Sequence, residues 1–392
     1  MSIDVLLGRS TVPIDEAVFR ALLDNSVAGT YADYSYALER GNIRFTTLVK
    51  LARKGEIPYS LFFAPLPVVE AQVGAKTEKL LAGTSKKTFS LGSRSRVELR
   101  DIELIIKDLL RKQELLKRHD QSLVENRVVG ILHKPGATPD ADANKLMAAI
   151  DLRPQDLRKC RTKEKALDLM IERLEAKQIL VSRSVQHYMP QRLTHVEFSG
   201  MTIRDKIVPF IFLAGGEHND YQEPVGRTIF TLALMTVLIG RRIFAPMTWD
   251  GASVGTEVGR EYDIAGAMLM PRDQMKELAP TSLEDMKAIS SEFKVTASAV
   301  TVRAMRLSLI TGETATAYLD DLRLDYNQNK QSKPMNQPLP ENAIRKYNGN
   351  ELTKRMLDAL SSNSISTSDF CRSVCLNRIK PTQIDDLRRA LS

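Results

Sequence analysis

Hydrophobic positions are densest in residues 227–240, RTIFTLALMTVLIG. Phe230, Leu232, Leu234, Met235, Val237, Leu238 and Ile239 leave this segment almost no polar face, which predicts a helix buried in the middle of a domain. It is too short to cross a bilayer. A second apolar helix is predicted over 263–270 and is stopped by Pro271. Upstream, apolar runs at 178–182, 196–201 and 206–214 predict short strands, the last apolar enough to be central. Two amphipathic helices precede them, at 141–150 and 163–177, and residues 127–132 form a short strand or a buried turn. Residues 97–119 repeat Leu99, Ile102, Ile105, Leu109 and Leu116 at helical spacing and predict one long helix.

Past Pro271, residues 283–293 predict a helix, followed by a tight turn and a second helix capped by Thr296. That order has the form of a helix-turn-helix. Residues 350–391 carry two or three more helices. At the N-terminus, 13–24 and 46–53 read as short amphipathic helices, 26–36 shows no clear period, and 57–67 is a Pro-bounded apolar connection. Segments 76–95, rich in Gly, Ser and Lys, and 324–341, rich in Pro, Lys, Asn and Gln, read as linkers. The fold class expected is α+β, predominantly helical.

A chain of 392 residues has room for two or three domains. Its formal net charge of +8 permits an anionic partner without requiring one. Three cysteines, Cys160, Cys371 and Cys375, give no disulfide framework. The last two, spaced i, i+4, are expected to face a core. The start, MSIDVLLGRS, lacks the pattern of a signal peptide, so a cytoplasmic protein is expected.

Several segments together resemble the metallopeptidase domain of the ImmA/IrrE family. FTLA stands at 230–233 and GAMLMP at 266–271. Gly200, Asp205, Pro209 and Ile211 fill the family's run before the buried helix, and Phe293, Val295, Thr296, Ala299, Arg303 and Leu307 its later helix pair. Residues 37–67 are similar to the end of an Xre/Cro-type helix-turn-helix domain, through Leu38-Glu39-Arg40-Gly41, Leu48–Ala52, Pro58 and Phe62-Phe63. The N-terminal stretch lacks a QxxxA pattern and well-placed base-reading side chains, which makes it a degenerate version. The resemblance implies a zincin-like core with a small β-sheet, a helical N-terminal Xre-like remnant and a C-terminal helical module. It divides the chain into 1–70 (Xre/Cro-type helical domain), 71–126 (basic linker and connecting helix), 127–323 (ImmA/IrrE-like domain with an internal helix-turn-helix), 324–341 (linker) and 342–392 (C-terminal helical module).

In the family, the helix that begins FTLA continues HExxH and supplies two zinc-binding His and a catalytic Glu. Here those positions are Leu234, Met235, Thr236, Val237 and Leu238. Leucine has no lone pair to give a metal, and methionine cannot act as a general base. Counting back from Pro271 puts the third-ligand region at Val258 and Arg260, with Glu257 and Glu261 one residue away. No catalytic residue, metal or cofactor is therefore expected. The five His (119, 133, 187, 195 and 218) never pair at i, i+4, and no GxSxG is present. Glu217, His218 and Asp220 form a polar cluster before the buried helix, expected to cap it.

The family reading is a catalytically inactive transcriptional regulator or antitoxin-like component linked to a mobile element, phage or stress response. It would act through a toxin-like or regulatory protein partner and through DNA. Lys86, Lys87, Arg94 and Arg96 of the basic linker would contact phosphates, as would Ser298, Thr301, Arg303 and Arg306 on an exposed face of the second helix. The rival class is a hydrolase with a noncanonical site around His218 and Glu261.

Overall fold

The computed structural model describes residues 2–24, 26–80, 99–193, 198–215, 223–244, 246–248, 259–328 and 338–391. The fold is α+β and mostly helical. The described residues group into two compact units, one of 2–80 with 99–110 and one from 111 onward. No described helix is long and apolar enough to cross a membrane.

The first unit opens with strands rather than helices. β1 (Ser2–Leu7) pairs antiparallel with β2 (Ser10–Asp15) through a turn at Gly8, whose φ is +60°. In β1, Ile3 and Val5 point into the core while Ser2 and Leu6 face outward, the two-residue period of a half-buried strand. Pro13 sits in β2, which pairs with β1 alone and so tolerates a residue with no N–H to donate. The helix expected from residue 13 therefore starts later, as α1 (Glu16–Leu23), where the Asp15 side chain accepts a hydrogen bond from the Ala17 N–H at 2.9 Å. α2 (Ala32–Arg40) follows and ends on Gly41 at φ +65°. β3 (Asn42–Arg44) then joins β1 in parallel, giving the order β2-β1-β3. The all-helical N-terminal domain expected from the Xre/Cro resemblance is corrected here: three of its elements form a sheet.

α3 (Phe45–Lys54) buries Leu48, Leu51 and Ala52. Phe19 of α1 stacks on Tyr34 at 5.6 Å between ring centroids and meets Phe62 at 6.0 Å, so one aromatic cluster joins α1, α2 and the 57–67 connection. α4 (Leu66–Leu80) runs into the segment read as linker from residue 76. The remainder of that segment, with Lys86, Lys87, Arg94 and Arg96, lies outside the described residues. α5 (Leu99–His119) is the predicted long helix.

The second unit begins with the last turns of α5 and continues through α6 (Pro139–Ala149), α7 (Pro154–Arg158) and α8 (Lys163–Glu175). β4 (Leu180–Arg183), β5 (Phe198–Ile203), β6 (Phe210–Leu213) and a later β7 (Pro246–Thr248) form a sheet in the order β4-β6-β5-β7. β4 and β6 run parallel, and β5 is antiparallel to both of its neighbours. Residues 127–132 form buried turns rather than a strand. All four residues of β6 are buried, as a central strand requires.

α9 (Val225–Arg241) is the buried helix, and it packs on the sheet, on α8 and on α10 (Arg260–Leu269). α11 (Arg272–Leu278) leads to α12 (Leu283–Glu292) and α13 (Ala297–Arg306). Ser282 and Asp285 form a capping box on α12, and Thr296 caps α13 as predicted, accepting from the Ala299 N–H at 3.2 Å. α14 (Gly312–Gln328) carries helix into the stretch expected to be linker from 324. Residues 329–337 lie outside the described set.

The C-terminal helices are α15 (Pro340–Asn348), α16 (Asn350–Ser361), the single turn α17 (Thr367–Asp369), a π-helical turn over Phe370–Val374, and α18 (Ile384–Arg389). They belong to the second unit and do not stand apart as a module from 342. The Ser182 hydroxyl of β4 donates to the Tyr347 carbonyl, and buried Lys112 donates to Asn348 Oδ1 at 2.7 Å while lying over the Tyr347 ring. Cys371 and Cys375 face this core, and burial pushes the Cys375 thiol up to about 12.

Glu175, at the end of α8, is another buried group in this region, at 4% exposure. One oxygen accepts from the Glu351 N–H at 3.1 Å, in the first turn of α16, and the other has no hydrogen-bond partner. Gly349 makes the approach feasible, because a Cβ there would lie 2.3 Å from that second oxygen. Burial raises the Glu175 carboxyl from its ordinary value to about 7. Below about pH 4.5 the group is protonated in both folded and unfolded chains and costs nothing. As pH rises toward 7 the unfolded chain ionises first, and the folded state loses about 3 kcal/mol relative to it. Glu175→Gln should remove that loss. The stability difference between variant and parent should shift in the variant's favour by about 3 kcal/mol between pH 4.5 and 8, measured by urea denaturation. A difference that stays flat with pH would contradict the buried carboxyl.

Candidate functional site

α9 carries the positions at which a zinc peptidase of the resembled family would place its chemistry. Leu234 is 4% exposed, Met235 0% and Leu238 1%. Thr236, also fully buried, turns its hydroxyl back to the Leu232 carbonyl at 2.8 Å, so its polar atom is satisfied within the helix. These side chains share one apolar cluster with Leu146 and Met147 of α6 and with Ala265 and Met268 of α10. The surroundings of Leu234, Met235 and Leu238 are hydrocarbon. Among the described residues, no group of three His, Cys, Asp or Glu side chains stands together so as to hold a metal ion.

The neighbouring elements explain why α9 is held so closely. Gly226, in its first turn, lies against the backbone of the α12–α13 turn, and a Cβ there would sit 2.5 Å from the Val295 carbonyl carbon. No larger residue permits that approach.

The third-ligand region is divided. Val258 and Glu257 lie outside the described residues. Arg260 opens α10 and grips the buried carboxylate of Asp142 with Nε at 3.1 Å and Nη2 at 2.8 Å, while Nη2 also donates to the Gly136 carbonyl. Glu261 is engaged by Arg241, at the end of α9, at 3.2 Å. The carboxylate one residue from the expected ligand position is thus occupied by an ion pair. His218, Glu217 and Asp220 lie outside the described residues.

The expected exposed face of α13 is corrected by the structure. Thr301 is fully buried and returns its hydroxyl to the Ala297 carbonyl at 3.0 Å. The Arg303 side chain is 5% exposed. It passes Gly266 of α10, donates from Nε to the Met270 carbonyl at 3.1 Å, and reaches Asp140 of α6 at 3.2 Å. Arg306 pairs with Asp263 of α10, and Ser298 is half-buried. Periodicity located α13 but not the side it turns inward. Arginine at a helix C-terminus satisfies carbonyls that the helix cannot, and here Arg303 does so for the end of α10.

Sequence reasoning missed a second polar region. The C-terminal ends of β4 and β6 and the first turn of α9 border a cavity of about 190 Å³, lined by Glu164, Asp168, Arg183, Glu223, Thr228 and Lys346 among others. The Glu223 side chain is 10% exposed, with Arg227 3.7 Å away. Its burial raises the carboxyl to about 7, with Arg227 opposing the shift. These residues are spread over three helices, a strand and the residues just before α9, so no local motif marks them.

No family model, curated protein sequence or solved structure matches the chain.

Proposed function

We propose that the chain is a catalytically inactive, cytoplasmic regulatory protein of ImmA/IrrE type, built on a zincin-like core and acting by binding another protein. The observation that carries this reading is the apolar filling of α9, where Leu234, Met235 and Leu238 are all buried. The order of elements supports it: a small sheet, a buried helix, then a second apolar helix ended by Pro271, then a helix pair. The partner class is a toxin-like or regulatory protein, in the setting of a mobile element, phage or stress response. Protein binding is favoured over DNA reading, because Arg303 and Arg306 are committed to Asp140, Asp263 and the Met270 carbonyl.

Two measurements on the purified full chain test the reading. Elemental analysis after incubation with zinc and extensive dialysis should find metal well below one per chain, and stoichiometric zinc would overturn the inactive-site assignment. Gel retardation with the DNA upstream of the chain's own gene should show, at most, binding that disappears as salt is raised and competitor DNA is added. A sequence-selective shift that survives both would replace the protein-binding reading with operator recognition.

A further inference from the structure

The cavity at the start of α9 has the position and the chemistry of a ligand site. β4 and β6 are parallel neighbours that end together, and ligands of sheets with parallel strands gather at the carboxyl ends of those strands. Arg183 is the last residue of β4, and Leu213, the last of β6, also borders the space. At about 190 Å³ the cavity has room for several waters, or for a compact organic molecule of similar bulk.

Glu223 decides which molecule. Its side chain is nine-tenths buried, and its ionic partner among the described residues, Arg227, stands at 3.7 Å, beyond hydrogen-bond length. Buried carboxylates ordinarily accept several hydrogen bonds. This one borders a cavity whose contents could supply them. The lining holds three acidic side chains, Glu164, Asp168 and Glu223, and two basic ones, Arg183 and Lys346, with Arg227 beside Glu223 as a third cation. Arg183 lies 3.9 Å from Asp168, so the cationic charge of the wall is partly balanced within it. With the charges of the wall balanced, the unmet need is that of the Glu223 carboxylate for hydrogen-bond donors, which a compact group with several N–H donors supplies.

We propose that this cavity binds a small molecule carrying a primary ammonium group, with the ammonium donating to the Glu223 carboxylate. The source is either a free amine or an amino acid whose carboxylate turns toward Arg183 or Lys346. The site lies before and at the start of α9 and does not involve Leu234, Met235 or Leu238, so its failure would leave the inactive-peptidase reading untouched.

The test uses the full chain and three probes at millimolar concentration: n-propylamine, L-alanine and N-acetyl-L-alanine. Binding is read as a concentration-dependent rise in the thermal unfolding midpoint and by calorimetric titration. The expected result is saturable binding of propylamine or L-alanine and none of N-acetyl-L-alanine, whose nitrogen carries no charge. L-Alanine binding more tightly than propylamine identifies an amino acid as the source, and the reverse identifies an amine. Glu223→Gln, nearly isosteric and relieved of a buried charge, should fold as the parent does by circular dichroism and lose about tenfold or more in affinity. In the parent, affinity should climb between pH 6 and 8 as Glu223 ionises against Arg227, Arg183, Lys346, Asp168 and Glu164. Absence of binding by both ammonium probes overturns the proposal. So does undiminished binding by Glu223→Gln, or, should that variant misfold, a parent affinity that is flat across this pH range.

Discussion

The triple variant Leu234→His, Met235→Glu, Leu238→His should be less stable than the parent by about 5 kcal/mol or more when a chelator is present. Each replaced side chain is at most 4% exposed and packs in the main apolar cluster of its unit. Losing the transfer energy of two leucines and a methionine costs roughly 2–5 kcal/mol each before any new group is counted, offset in part because the new side chains are not small. Each imidazole then brings a buried donor and acceptor without partners, at about 1–3 kcal/mol apiece. The glutamate must stay protonated or remain charged in hydrocarbon, and both states oppose folding. Zinc should return little of this, because Arg260 occupies the third-ligand region and Arg241 holds Glu261. Urea denaturation with and without chelator measures the loss. A midpoint equal to the parent's in chelator would mean that α9 is not packed as described.

Arg303→Ala should cost about 3–5 kcal/mol. The guanidinium is nearly enclosed, and its removal leaves the Met270 carbonyl without its donor and Asp140 without one of its two cationic neighbours. It also opens a space beside Gly266, where the side chain runs within van der Waals reach of α10. Arg303→Lys should recover part of the loss, since it restores the charge but not the planar fork that serves a carbonyl and a carboxylate together. Thermal unfolding of both variants gives the comparison. A loss below about 1 kcal/mol for the alanine variant would place Arg303 among ordinary surface pairs and would reopen α13 to solvent.

The helices of the second unit were legible because each carries a long apolar stripe or, for α9, an apolar surface all round. α5, α8, α9, α12 and α13 fall within a few residues of their expected bounds, and the Thr296 cap lies where the sequence places it. The strands β4, β5 and β6 were legible as short apolar runs, although their shared sheet order was not. The N-terminal sheet was missed for a physical reason. β2 and β3 bury one residue each, so no apolar run marks them as it marks β4 to β6, and Pro13 at an edge resembles a helix start. The linkers were drawn too long because polar residues on a solvated helix face, as in α14, have the composition of a loop.

The sequence by itself determined that α9 is buried, that no ligand atoms stand at 234 and 238, and that 235 carries no general base. All three follow from side-chain chemistry alone: hydrocarbon leaves water wherever it is placed, and leucine offers no lone pair in any fold. Only the tertiary structure decided what the charged residues do. Arg303 and Arg306 could as well have faced a phosphate; whether they do depends on Asp140 and Asp263, which lie far away in sequence or on another helix. The same holds for Glu223, whose surroundings come from α8, β4 and α15. An ionic interaction takes its value from distance and burial, and both are set by the packing of distant elements rather than by local sequence.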